Sequence, residues 1–377
     1  MANKLSGIQG CLLGMAVGDA MGFPVDRKIL EDIYADYGPN GLLGYDLVNG
    51  SAEVTSHTQV AAYVSNGLLL GVSRGKKDMI PYITLSLREW ARNQQFYRDP
   101  EISHCWVAKP KELRLHNNRD ARMLDTLRAQ TLGTPEQPIN QHTGPGGLTA
   151  AVAIGLFYDP RRMAQEQLVQ LAARTVALTH GSPETILAGA VLAAAVADVL
   201  CNPEKPLQEV FCQALGTVRT QYAPQFPLQT ELLSARLRLA MELAQDPDAE
   251  ARGSMERLAC DNGPSCLAGA VYACLTSGDD FDTALITAVN HSGLSAAVGA
   301  VTGAVMGARL GAEALPAFYL ESLTAAQVLS ELATDLAQGS LTTGLFDDDW
   351  DHKYMQGLPL GEPAKEKKDT GGLLFSL

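Results

Sequence analysis

The chain has 377 residues, 46% hydrophobic and 19% charged, with 29 Lys+Arg against 42 Asp+Glu and a formal charge of −13 at pH 7. That balance belongs to a globular chain with enough apolar material for a large core, in one domain or two. It weighs against a reader of phosphate backbones or a surface that seeks anionic lipid, since no basic cluster exceeds Lys365, Lys367 and Lys368, so no nucleic acid or membrane partner is expected.

In chain order, MANKLSGIQG carries one lysine and then glycines where an export signal needs a continuous apolar run, so export is not expected. Gly10, Gly14, Gly18 and Gly22 then recur every four residues, and Gly299, Gly303 and Gly307 do the same late in the chain. A glycine inside a helix costs roughly 0.5–1 kcal/mol relative to alanine, so something must offset these. The spacing predicts two central helices whose backbones approach closely, with close approach to a ligand as the lesser reason. Helical periodicity recurs near 56–72, 79–95, 163–179, 184–201, 207–221, 229–244, 281–290, 294–310 and 325–337. Ser182 and Pro183 mark the start of the 184–201 helix as cap and first turn. Gly38-Pro39-Asn40-Gly41, Asn202-Pro203 and Asp261-Asn262-Gly263-Pro264 read as turns. Strand signals are weak throughout. The stretch from Ala296 to Ala308 is the most lipid-like, but Arg309 ends it short of the ~20 residues a span needs.

No repeat and no long linker divides the chain, so one all-α domain over 1–356 is expected, followed by a C-terminal strap over 357–377 that contains Pro359 and Pro363. Seven cysteines, an odd number with no C-x-x-C pair, read as buried thiols of a reducing, cytoplasmic setting. A monomer is expected.

The run from Gly10 to Asp26, GCLLGMAVGDAMGFPVD, resembles the opening helix of the ADP-ribosylglycohydrolase family, G-C-L-x-G-x-A-x-G-D-A-x-G-x-P-x-E, with Asp in the last place. Thr179-His180-Gly181-Ser182 resembles the family's T-H-G/P-x turn. Asn290-His291-Ser292-Gly293, with Gly299, Gly303 and Gly307 after it, resembles its final motif. The dinitrogenase-reductase-activating glycohydrolases and the crystallin-like proteins are members. The resemblance implies an all-α single-domain helical bundle whose cleft holds two Mg²⁺ ions as the family cofactor and cleaves ADP-ribose from a modified side chain or small acceptor. Such ions need oxygen ligands.

In relatives those ligands come from an S/T-D-D-T motif early and a D-S-D-S/T motif late. Here the early motif reads Thr55-Ser56-His57-Thr58 and the late one Leu294-Ser295-Ala296-Ala297. The family's ligand positions are therefore held by Ser56, His57, Leu294 and Ala296, and no metal cofactor is expected. The resemblance places Thr58, Gly144, Gly146, Gly147, His180, Gly181, Asn290, His291 and Ser292 around the ligand, with the Gly144–Gly147 loop beside the diphosphate. A plain turn is the other reading of that loop. His57 either pairs with a neighbour as a neutral imidazole or joins His180 and His291 in a soft-metal site. Asp26 matches the family's mobile acidic residue, or it is a helix-end carboxylate. Asp19 reads as a buried residue pinning helix ends ahead of an acid or base. Asp347, Asp348, Asp349, Asp351 and His352 read as a solvated turn, and Trp90, Cys105 and Trp106 as packing residues.

The functional expectation is a family member without di-magnesium catalysis, binding ADP-ribose, a nucleotide or an ADP-ribosylated protein. One alternative is an active hydrolase with a remodelled site that works through Asp26 and His57. The other is a structural or interaction protein.

Overall fold

The computed structural model describes residues 2–94, 103–341 and 348–355; the strap over 357–377 and Asp347 lie outside the described residues. Among these residues the chain is built of α-helices and short 3-10 turns, with no strand and two isolated bridges, Val48 to Ser51 and Ala52 to Leu323. The helices run α1 (Ala2–Gly22), α2 (Leu30–Tyr37), α3 (Ser56–Ser73), α4 (Ile80–Asn93), α5 (Ala121–Leu127), α6 (Gly146–Phe157), α7 (Gln165–Ala177), α8 (Pro183–Cys201) and α9 (Leu207–Tyr222). They continue with α10 (Pro227–Gln245), α11 (Ala251–Leu258), α12 (Gly263–Thr276), α13 (Phe281–Val289), α14 (Ser295–Leu310), α15 (Ala317–Ser322), α16 (Ala326–Leu341) and α17 (Asp348–Tyr354). The all-α bundle is the expected one, and each expected helix is present.

The axis of the bundle is the pair α1 and α14. A Cβ on Gly10, Gly14 or Gly18 would fall inside the carbonyl oxygen of Gly307, Gly303 or Gly299, and the reverse holds for the three late glycines. The helices meet backbone to backbone, so dispersion contacts along both offset the cost of glycine. Close packing accounts for the glycine spacing on both helices. Helices α3, α8, α12, α13 and α16 surround this pair, and α6 packs against α3, α7 and α8. One apolar core runs from Ile8 to Tyr354.

Five local readings change. Residues 263–276 form α12, where the sequence suggests only a turn. The Asp261-to-Pro264 cluster is the helix's cap, in which Asn262 Oδ1 accepts from Ser265 N at 3.1 Å and the proline occupies the first turn. Ser182 stands at the N-cap of α8, but its hydroxyl makes no capping bond. The acidic run from Asp348 is helical rather than a turn, with Trp350 and Tyr354 buried beneath it. Cys201 and Cys212 are exposed, whereas the other five cysteines are buried. The longest lipid-like stretches are also not at 296–308. Residues 4–25 and 183–201 are long and apolar enough to span a membrane by length and composition, yet 83% and 78% of those windows are buried inside the bundle.

Candidate functional site

Asp19 lies in the glycine helix α1 and is completely buried. Its carboxylate accepts four hydrogen bonds at the start of α3: Thr55 N (2.8 Å), Thr55 Oγ1 (2.6 Å), Thr58 N (3.1 Å) and Thr58 Oγ1 (2.6 Å). That saturates the acceptor capacity of the group, so Asp19 pins α1 to α3 as read from the sequence. Thr58 is spent in the same network. Ser56 donates its hydroxyl to the Asn118 carbonyl at 2.6 Å, which lays the 115–120 loop over the start of α3.

Asp26 stands at the other end of the glycine pair. Its Oδ1 accepts from Ala296 N, in the first turn of α14, at 3.0 Å, and Asn118 Nδ2 donates to Oδ2 at 3.3 Å. Burial raises its pKa above the ordinary carboxylate value, against the bond from Ala296 and the neighbouring His57 and Arg27. The helix-end role is thus visible in its bonds.

Ser56, His57, Leu294 and Ala296 are all buried. Leu294 and Ala296 offer no side-chain oxygen, the Ser56 hydroxyl is committed to a carbonyl, and Asp26 and Asp19 hold backbone groups of α14 and α3. This donor set does not fit two hard magnesium ions.

A cavity of about 400 Å³ opens beside these positions, a size ordinary for small-molecule sites. Its wall includes Ser56, His57, Leu294, Gly144 and Gly146 from the expected set, together with Arg27, Arg119, Arg122, Asp120, His142 and Asp261. Thr58, Gly147, His180, Gly181, Asn290, His291 and Ser292 are not on that wall. Asn290 clamps the 38–42 turn, accepting from Leu42 N at 2.8 Å and donating to Leu42 O at 2.9 Å. His291 donates to Ala288 O and accepts from Gly293 N, and burial lowers its pKa to about 4. Ser292 Oγ accepts from Leu30 N at 2.9 Å. A Cβ on Gly181 would strike the Asn140 backbone, and one on Gly147 would meet Val176 Cγ1 at 2.7 Å and His180 Nδ1 at 3.3 Å.

His180 finds a different companion from the one expected. Its ring stacks on His142, with centroids 4.3 Å apart and planes 15° from parallel. His142 Nε2 meets Asp120 Oδ2 at 2.6 Å, and His142 Nδ1 accepts from Gly144 N at 3.2 Å. Burial opposes the Asp120 carboxylate, but the bond to His142 and the N–H of Met123 outweigh it and hold the pKa below the usual range. Burial, with His142 beside it, pushes the His180 pKa down and keeps that imidazole neutral. Two orphaned atoms remain here, His57 Nδ1 and His180 Nε2. Gly144 is required by this cluster, since a Cβ there would lie 2.5 Å from His142 Cε1 and 3.1 Å from Asp120 Oδ2. Sequence reasoning missed Asp120 and His142. The one signal available was the position of His142, two residues ahead of the glycine loop.

A sequence model of the family described as ADP-ribosylglycohydrolase matches residues 1–344. An uncharacterized protein of Archaeoglobus fulgidus is 25% identical over 341 residues, which cover 87% of this chain and 95% of that protein. A solved structure titled ADP-ribosylglycohydrolase-related protein complex shares the fold, with a TM-score of 0.58 and 24% identity over 90% of this chain and all of that one. Since the match takes in the interlocked glycine helices and every segment of the cavity wall, the chain belongs to the ADP-ribosylglycohydrolase family.

Proposed function

We propose that this family member binds an ADP-ribosyl group, free or on a protein, in the cavity beside α3 and α14, and does not hydrolyse it by the di-magnesium route. The observation that carries the reading is the cavity wall. Three arginines, Arg27, Arg119 and Arg122, line it beside two carboxylates, Asp120 and Asp261, in a chain of net charge −13, next to the Gly146 start of α6. Guanidinium forks and helix-start N–H groups suit a diphosphate. The carboxylates that would hold two magnesium ions are replaced, and Leu294 brings an apolar side chain to the same wall.

Calorimetry with ADP-ribose on the folded chain tests this. Without two metal contacts, worth several kcal/mol, the expected affinity is roughly millimolar at about 1.4 kcal/mol per tenfold. Binding should persist with EDTA and weaken at least about tenfold in Arg122→Ala. Gly146→Val should weaken it further, because a Cβ there already stands in van der Waals contact with Met123 Sδ and His180 Cε1 at 3.5 Å and the two added methyls must displace them. Release of ADP-ribose from modified arginine or serine that needs Mg²⁺ and stops with EDTA would overturn the reading. No heat at millimolar ligand would leave the interaction-scaffold alternative.

A further inference from the structure

We propose that Asp120, His142 and His180 form a binding site for a single borderline-soft divalent cation, zinc above all, at the wall of the cavity. The three side chains come from the start of α5, the loop before α6 and the loop before α8, and each offers a ligating atom within 4.8 Å of the other two. Zinc bonds His nitrogen and carboxylate oxygen at about 2.0–2.2 Å, which sets tetrahedral ligand atoms about 3.4 Å apart, so the widest pair must close by up to about 1.4 Å as the stacked rings of His142 and His180 turn toward a common point.

Two features independent of that proximity point to a cation. The first is His180, completely buried with Nε2 unpartnered. A buried imidazole nitrogen with no hydrogen bond is costly, and a bound cation removes the cost. The Nε2 edge faces the cavity wall, since a Cβ on Gly146 would lie 3.7 Å from it. Thr179 Oγ1 stands 2.8 Å from His180 Nδ1 and 3.5 Å from the Val176 carbonyl. With the hydroxyl donating to that carbonyl, Nδ1–H donates to Thr179 and the lone pair falls on Nε2, the tautomer a metal takes.

The second feature is the pairing of His142 with Asp120. Because His142 Nδ1 already accepts from Gly144 N, the ring's proton sits on Nε2 and is shared with Asp120 Oδ2. A cation entering between these atoms takes the place of that proton, which moves to Nδ1 at the cost of the bond from Gly144 N. The nitrogen–metal and oxygen–metal contacts form, the ring's bonds to Asp120 and from Gly144 break, and the neutral imidazole keeps its one proton, so none leaves to solvent. Asp120 Oδ1 stays on Met123 N as the outer support. Two imidazoles and one carboxylate suit zinc, cobalt or nickel rather than magnesium. Three protein ligands also leave a fourth position, on the side where Asp120 and His142 line the cavity. These are not the four positions at which the family resemblance places magnesium ligands, and the inference stands without ADP-ribose binding.

Zinc chloride titrated by calorimetry into the chelator-stripped, nucleotide-free chain tests the site. One equivalent should bind, magnesium should give no heat, and buffers of different ionisation enthalpy should give the same heat, since no net proton is released. His180→Gln and His142→Gln should each weaken binding about 100-fold or more, and Thr179→Val about tenfold through the lost outer bond. His116→Gln, on an exposed histidine bonded to the Asn93 carbonyl, should change nothing. Circular dichroism checks that each variant is folded. Cobalt(II) spectra of the unaltered chain should show tetrahedral nitrogen and oxygen ligation whatever the variants do. Absence of stoichiometric zinc, binding that persists unchanged in folded His180→Gln, or a heat of zinc uptake that changes with the buffer's ionisation enthalpy would each overturn the proposal. Because no nucleotide is present, failure here is separate from failure of the ADP-ribose reading.

Discussion

A carboxylate's role in this chain follows from how its oxygens are spent. Asp19, with four donors on it, is a structural pin, and a buried acid among glycines can be read that way from sequence because it has no other means of being tolerated. Asp26 left two readings open, since the sequence does not say which N–H its side chain reaches; its Oδ1 accepts from the Ala296 N–H at the start of α14. The raised pKa of Asp26 has a consequence for stability against pH. The native state holds the proton more tightly than the unfolded chain. The group's stabilising contribution is therefore complete below the ordinary carboxylate value and is lost as pH rises through the raised one. The stability of the unaltered chain minus that of Asp26→Asn should fall as pH rises through and above the ordinary carboxylate range, read from urea melts. A difference that is flat or rises would mean that the bond from Ala296 and the charge of Arg27, rather than burial, set the pKa.

At the scale of an element, identical residues have opposite worth. Gly18 sits with its α-hydrogens against the Gly299 carbonyl, and neither backbone has a flexible end that can give way. Gly18→Ala should therefore cost well over ~3 kcal/mol or prevent folding, in the manner of severe overpacking. Gly216, exposed in α9 with nothing near its Cβ position, should behave in the reverse sense. Gly216→Ala should stabilise the chain by about 0.5–1 kcal/mol through helix propensity alone. Chemical denaturation of the pair checks both signs. The four-residue spacing announced the first behaviour, because only repeated close approach makes repeated glycine tolerable in a helix. The cap of α12 was misread for a related reason. Asn, Gly and Pro in succession serve a turn and a helix start equally well, and the buried face of the following residues decides between them.

For the molecule as a whole, the last described helix closes the bundle. In α17 Trp350 Nε1 donates to Ser73 Oγ at 2.8 Å, and Tyr354 OH donates to Asp335 Oδ2 at 2.8 Å while accepting from Trp106 Nε1 at 2.7 Å. Lys353 pairs with Glu331, Asp335 and Asp349, and Arg74 caps the carbonyls of Tyr354 and Met355. The end of α3, the middle of α16 and the 106–108 turn are thereby joined across the chain. Trp350→Ala removes a buried indole from that junction and should cost about 3–5 kcal/mol in urea or heat, with the far-UV spectrum of the folded chain still helical. Unchanged stability would mean that α17 merely rests on the bundle.

Helix positions, the glycine interlock and the family were legible because each depends on residues within about four places of one another or on motifs intact in the chain. That Leu294 and Ala296 offer no oxygen to a hard cation was equally plain, since no packing gives their side chains one. Which polar groups meet was decided only in three dimensions. Asp120, His142 and His180 lie on separate loops, and no spacing rule links them. Asn290, His291 and Ser292 kept the family pattern yet turn toward backbone groups. A side chain's partners are set by where helices distant in sequence dock and by the loop dihedrals between them, and local periodicity carries no record of either.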